Sequence, residues 1–353
     1  MTDAAVVGRL LDEYHERAVP PSGIRLVSGS VQETRVSYQL TLANGSAQLL
    51  RAFRADAPVP VLGRGTGGQT VADWLLGRAG TLAWLAAANY PAPRPVRTRT
   101  GELVGVEGPW LSWATTFVAG SVIQPDLGQL CLVGESLGRL HRVAVPAGAP
   151  GTSDTPGLAS CHPAVAVAAT LARLDAVASD VPAPWRPMYS AFRQTAEQVS
   201  QAVGSVPVSI VHGDVWARNV VQDSPSSVTF IDWETGGVGL AVLDLGNCLV
   251  ECHLDAALPD DQPQTWLISP DEDRIGAVAG SYASVRPLSD AELALLSAAV
   301  GFSAAAAGAI HLEAALSAGV SGASMDARLE RLQNRLSVAD DIAAIAQRHL
   351  AGG

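Results

Sequence analysis

The chain has 353 residues, 48% hydrophobic and 16% charged, a balance that suits a folded protein with a sizeable core and excludes a disordered one. All 23 basic residues are arginine, which rules out a Walker A Gly-Lys-Ser/Thr loop and any Schiff-base or pyridoxal-phosphate chemistry, since each needs a lysine amine. A net charge of −11 argues against nucleic-acid binding and would draw in a cationic small substrate, while the absence of a basic leader and of an apolar run near ~18 residues predicts a cytoplasmic protein without a membrane segment.

Taken in order, residues 3–18 carry Leu10, Leu11 and Tyr14 at helical spacing. Three runs after Pro20-Pro21 read as strands: Ile24–Val27, Val36–Leu42 and Ala47–Phe53, with Asn44-Gly45 as a two-residue hairpin signal. A Gly-rich stretch, Gly63–Gly68, precedes no Gly-Lys-Ser/Thr and reads as a linker. Thr70 is the expected N-cap of a helix running to about Asn89. Tyr90-Pro91 ends it, because a residue before proline is pushed extended. Strands are expected at Leu103–Glu107 and Leu111–Val118, and helices over 125–143, 163–178 and 185–203, with a Pro/Gly/Ser-rich loop at 146–160.

The informative stretch follows. Ile210-Val211 and Val220-Val221 flank a polar loop, His212-Gly-Asp-Val-Trp-Ala-Arg-Asn219, and a further apolar run, Val228–Ile231, ends in Asp232-Trp-Glu234. Asp214 and Asn219 stand in the D-x-x-x-x-N spacing of a kinase catalytic loop, where a carboxylate takes the proton of an acceptor hydroxyl and oxygen ligands hold magnesium against nucleotide phosphates. Residues 240–254 continue as a helix. Its Cys248, Cys252 and His253 read as buried core groups in preference to a zinc site. Helices over 273–284, 289–318, with a break at Gly301 or Gly308, and 325–350 complete the chain.

Together, His212-Gly-Asp214, Asn219 and Ile231-Asp-Trp-Glu234 resemble the aminoglycoside phosphotransferase and choline-kinase-like family. Leu49-Leu-Arg51, Ala83-Trp-Leu, Leu137-Gly-Arg-Leu-His141 and Gly236 to Asp244-Leu245 add family-like pieces in the expected order. The resemblance implies an α+β, two-lobed, protein-kinase-like fold. A small antiparallel β-sheet N-lobe would span 1–117, and a larger, mainly helical C-lobe 118–353.

It also implies an Mg²⁺-dependent transfer of the γ-phosphate of ATP or GTP to a hydroxyl of a small molecule, such as an antibiotic or a choline-, homoserine- or sugar-like metabolite. Asp214 would be the base, Asn219 and Asp232 the metal ligands, and Arg218 either a contact of the transferred phosphate or a solvated arginine. Ser28, Ser30 and Thr34 would cradle phosphates, Arg51 would replace the usual strand lysine, and Arg54 would face outward. Backbone groups from Thr115 through Phe117 to Val118 would hold a purine, with Trp110 or Trp113 able to stack on it. Glu234, Glu251, Asp255 and Glu313 are candidates for binding amino groups of an acceptor, and Asp244 for bracing the metal loop. One departure stands out: the family's helix glutamate is Arg78 here, which leaves Asp73 as the alternative partner of Arg51 or leaves a pseudokinase-like binding module.

Overall fold

A computed structural model describes residues 3–14, 23–29, 34–57, 70–145, 163–258, 266–318 and 323–350. They fall into two compact units, one holding 3–57 and 70–119 and the other 120–145 and 163–350.

The first unit begins with helix α1 (Asp3–Tyr14) and strands β1 (Gly23–Gly29), β2 (Arg35–Thr41) and β3 (Ala47–Arg54). Helix α2 (Val71–Ala87) and strands β4 (Pro95–Val96), β5 (Gly105–Glu107) and β6 (Trp110–Thr116) follow. The sheet runs β1-β2-β3-β6-β4 with β5 also on β6, and every pairing is antiparallel. Alternation along β2 and β3 turns Val36, Tyr38, Leu40, Leu50 and Ala52 toward one face, where Leu10, Leu11 and Tyr14 of α1 cover them. The Tyr14 hydroxyl donates to the Ser112 carbonyl at 2.7 Å and accepts from the Gly105 amide at 3.1 Å, so the apolar helix face is pinned by a satisfied buried polar group.

The β2–β3 connection is longer than the Asn-Gly signal suggests. Residues 42–46 lie between the strands, closed by the Leu42 amide donating to the Ser46 carbonyl, with Gly45 at φ 80° and the Asn44 side chain accepting from the Ser46 amide. At α2, Thr70 is the N-cap in a reciprocal capping box with Asp73.

The second unit is mainly helical. Strands β7 (Ser121–Val122), β8 (Val208–Val211), β9 (Val220–Ser224), β10 (Ser227–Phe230) and β11 (Gly237–Leu240) form two small antiparallel sheets, β10-β9-β7 and β11-β8. The helices are α3 (Leu127–His141), α4 (Pro163–Val177), α5 (Arg186–Ala202), α6 (Ala241–Glu251), α7 (Glu272–Val285), α8 (Asp290–Ala318), α9 (Ala323–Ser337) and α10 (Ala339–Leu350). Gly134 lets α3 approach α7 closely: a Cβ there would stand 2.3 Å from the Val278 carbonyl oxygen.

Three sequence expectations for this unit are corrected. Helix α8 runs unbroken through Gly301 and Gly308, because both glycines are packing sites, against Leu336 and the Phe192 ring respectively. It is also long and apolar enough by composition to cross a membrane, contrary to the expected absence of such a run; here it packs against α4, α5, α6, α9 and α10. The single helix expected over 325–350 is two. The chain breaks between Ser337 and Ala339, so that Leu329 and Leu332 join the α4–α5–α8 core while α10 packs on α7 and α8.

Candidate active site

The polar loop 212–219 connects β8 to β9, and each strand is held by a partner: β8 by β11, β9 by β10 and β7. Tertiary contacts fix the loop at its start. Asp244, near the start of α6, accepts from the His212 amide at 2.7 Å, the Gly213 amide at 2.8 Å and His141 Nε2 at 3.1 Å. The brace anticipated for Asp244 thus acts on the loop carrying Asp214. Gly213 has φ 80°, and a Cβ there would meet the Thr235 carbonyl oxygen at 2.9 Å, so glycine is required on both conformational and steric grounds.

Behind Asp244 the polar chain continues inward. His141 uses Nε2–H on Asp244, so its Nδ1 accepts from the Tyr282 hydroxyl at 2.8 Å; the Tyr282 oxygen in turn accepts from Arg286, which pairs with Glu292. Burial pushes the His141 pKa down despite the neighbouring carboxylate, so the ring is neutral. Burial alone would raise the Asp244 pKa, but the hydrogen bonds from His141 and from the His212 amide outweigh it and hold the carboxyl below its ordinary value.

His212 is wholly buried between Phe230 and Trp233. Its Nδ1 accepts from the Asp214 amide at 3.3 Å and its Nε2 donates to the Ile231 carbonyl at 2.8 Å, which sets a neutral tautomer and makes it a scaffold between the loop and the Asp232 segment.

Asp214 and Asn219 meet directly. The Asn219 side-chain nitrogen donates to the Asp214 carbonyl at 2.9 Å and to Asp214 Oδ2 at 2.8 Å, which turns its amide oxygen the other way. The Asn219 carbonyl accepts from the Ile231 amide at 2.8 Å, so Asn219 and Asp232 flank the β9–β10 pair. Asp232 has φ 63°; among the described residues Asn89, at the end of α2, is the other non-glycine with positive φ. A strained non-glycine conformation persists only where its surroundings enforce it, which marks this position.

The Asp214 carboxyl is pushed up to about 7 by burial first, then by the charges of Glu251 and Asp232, against the hydrogen bond from Asn219. A carboxylate poised near neutrality is suited to accept a proton.

The donor set fits a hard divalent cation: an amide oxygen at 219 and a carboxylate at 232, with no nitrogen or sulfur ligand between them. Among the described residues no cluster of three His, Cys, Asp or Glu side chains gathers for a metal. Magnesium keeps waters and takes few protein ligands, and the groups at Cys248, Cys252 and His253 have other surroundings. His253 instead uses Nδ1 on the Val250 carbonyl and Nε2 on the Asp271 amide, and both thiols are buried with raised pKa.

Other sequence candidates fall elsewhere. The guanidinium of Arg218 donates to the carbonyls of Ala256 and Leu258 and lies 5.0 Å from the Trp216 ring, so it clamps the chain beyond α6, where the sequence suggested a phosphate contact or a solvated arginine. Three proposed acceptor carboxylates are ion-paired: Glu251 with Arg335, Asp255 with Arg274, and Glu313 with Arg173; Glu234 is buried. Sequence reasoning missed these pairs because their partners lie far along the chain, 84 residues away for Glu251 and 140 for Glu313.

In the first unit, Arg51 lies on β3 opposite Ser37 and Trp113, while Arg54 points outward to Asp56, as strand alternation predicts. Asp73 is spent on its capping box, so it is not a spare partner for Arg51; Arg78 is buried. Ser28 is exposed on β1 and Thr34 is exposed just before β2, whereas Ser30 lies outside the described residues. Thr115 is buried within β6, the Phe117 amide is taken by the Ala47 carbonyl, and Val118 follows the strand, so the expected purine-binding edge is already partly used. Trp110 and Trp113 are buried, Trp110 against α1, and present no face to a base.

Comparison with known proteins bears on the family and the fold. A family model described as the phosphotransferase enzyme family matches residues 32–288. A search of curated protein sequences gave no match. Similar solved structures include an amicoumacin kinase with AMP-PNP and Ca²⁺ (TM-score 0.65, 14% identity, 97% of this chain and 94% of the other). They also include a spectinomycin phosphotransferase with ADP (0.59, 11%, 99% of each chain) and a choline/ethanolamine kinase family protein from Mesorhizobium loti (0.58, 14%, 100% of each chain). At such identities the likeness establishes the fold, α+β and protein-kinase-like. With the family match over most of its length, the chain belongs to the phosphotransferase enzyme family, whose small-molecule kinases share this architecture.

Proposed function

We propose that the protein transfers the γ-phosphoryl group of ATP or GTP to a hydroxyl of a small molecule, with Asp214 as the base. The observation that carries this reading is the junction of Asp214 and Asn219 beside Asp232: a near-neutral carboxylate is oriented by the amide whose oxygen faces away from it. Asp214 orients the acceptor hydroxyl and takes its proton as the phosphoryl group moves. Asn219 and Asp232 would hold Mg²⁺, which when bound neutralises charge developing on the phosphates. His212 and Asp244 fix the loop and exchange no proton with the acceptor. Arg51, with the hydroxyls of Ser28 and Thr34, is assigned to the nucleotide phosphates, and Val118 to its base.

An antibiotic or related natural product is the acceptor class supported by the amicoumacin and spectinomycin enzymes among the structural neighbours; the choline/ethanolamine kinase neighbour supports a metabolite hydroxyl as the second reading. The test is Asp214→Ala. Turnover should fall by about 10²–10⁴, the contribution of a general base, while nucleotide affinity by calorimetry is retained. Unchanged turnover would remove Asp214 from the mechanism.

A further inference from the structure

Near Asp214, on the α6 side, stands a group of arginines and tryptophans that the catalytic assignment leaves unused. Trp216, two residues after Asp214, lies 5.8 Å from the Trp266 ring, and the Arg331 guanidinium lies 4.9 Å from the same Trp266 ring. Arg328, Arg331 and Arg335 recur at three and four residues on α9, hence along one helix face. Their negative counterpart is Glu251, which Arg335 already engages through two guanidinium nitrogens. Glu251 also lines the small cavity formed with Val215, Trp216 and Ala217, and is the nearby charge that most raises the Asp214 pKa, so this arginine face adjoins the catalytic loop.

Arg331 is the informative member. It is half-buried, and among the described residues it makes no ion pair or hydrogen bond. Buried Arg335 likewise leaves its Nε without an acceptor. Holding these cations together is unfavourable, and burial followed by the charge of Arg335 depresses the Arg331 pKa. A guanidinium fixed on an aromatic face, with its N–H edge unspent among the described residues, is a ready fork for a planar oxyanion.

We propose that the acceptor is an anion, a hydroxy acid whose carboxylate binds Arg331 beside Trp266 while its hydroxyl reaches Asp214. This rests on the phosphotransferase reading above and reverses the cationic acceptor suggested by net charge alone. Three of the four carboxylates expected to bind amino groups are ion-paired with arginines, and beside them Arg331 has no anionic partner among the described residues.

A matched pair of phenols tests the charge preference. With the full chain, 4-hydroxyphenylacetate should bind at least about tenfold tighter than tyramine, read by tryptophan fluorescence, since one charge-assisted hydrogen-bond pair is worth that much. Arg331→Gln should abolish the difference and Arg331→Lys should retain part of it. In turnover with Mg-ATP across hydroxylated compounds sorted by charge, productive acceptors should be acids, and Arg331→Gln should raise their KM about tenfold with kcat little changed. Tyramine binding as tightly as the acid, no binding of either, or turnover of amino alcohols with a KM indifferent to Arg331 would overturn the proposal. The underlying reading fails differently: Asp214→Ala would leave turnover unchanged whatever the acceptor's charge.

Discussion

Replacing Asp244 by asparagine removes one charge and almost no volume, so it isolates what the carboxylate does for the catalytic loop. Oδ2 accepts from the His212 amide at 2.7 Å and from His141 at 3.1 Å, and Oδ1 accepts from the Gly213 amide at 2.8 Å. An asparagine keeps most by placing its oxygen at the Oδ2 site. Its NH₂ then faces the Gly213 amide, donor against donor, and the two surviving bonds lose their charge assistance. Charged hydrogen bonds contribute about 1.5–3 kcal/mol each and an orphaned buried donor costs about 1–3 kcal/mol, so Asp244→Asn should destabilise by roughly 3–4 kcal/mol. For a unit of this size that corresponds to a fall in Tm on the order of 10 °C. Urea unfolding of the wild type, Asp244→Asn, Tyr282→Phe and the double variant closes a cycle. Tyr282 donates to the other nitrogen of His141, so the two changes should couple by roughly 0.5 kcal/mol or more. A loss below about 1 kcal/mol, or additive effects, would mean that the loop is held by its strands alone.

Asp232→Ala should abolish metal-dependent nucleotide binding, and retained Mg-ATP affinity by calorimetry would count against Asp232 as a ligand. Gly134→Ala would place a Cβ 2.3 Å from the Val278 carbonyl oxygen and force α3 from α7; a loss of about 1–3 kcal/mol is expected on thermal unfolding, and an unchanged Tm contradicts the packing. His141 and His212 are buried and neutral, with pKa below the ordinary 6.5. Only the unfolded chain therefore gains their protons below that value; Asp214, raised to about 7 in the fold, offsets one of the two over the same range, and stability should still fall on acidification below pH 6.5, by up to about 1.4 kcal/mol per pH unit net. Equal urea midpoints at pH 5.5 and 7.5 would refute neutral burial.

What the sequence determined was local. Alternation set the sheet strands and the outward turn of Arg54, Thr70 announced its helix start, and the five-residue spacing from Asp214 to Asn219 put both groups on one loop, where they meet. Such features depend on neighbours within a turn or a strand pair, so their chemistry is written in adjacent letters. Partnerships across the fold were not legible there. Asp244 engages His141 from 103 residues away, Glu251 is claimed by Arg335, and Arg218 turns to the carbonyls of Ala256 and Leu258. A carboxylate reads the same in sequence whether it faces solvent, a substrate amine or a buried guanidinium. Only packing decided which charges were neutralised and which, like Arg331 on Trp266, were left for a ligand.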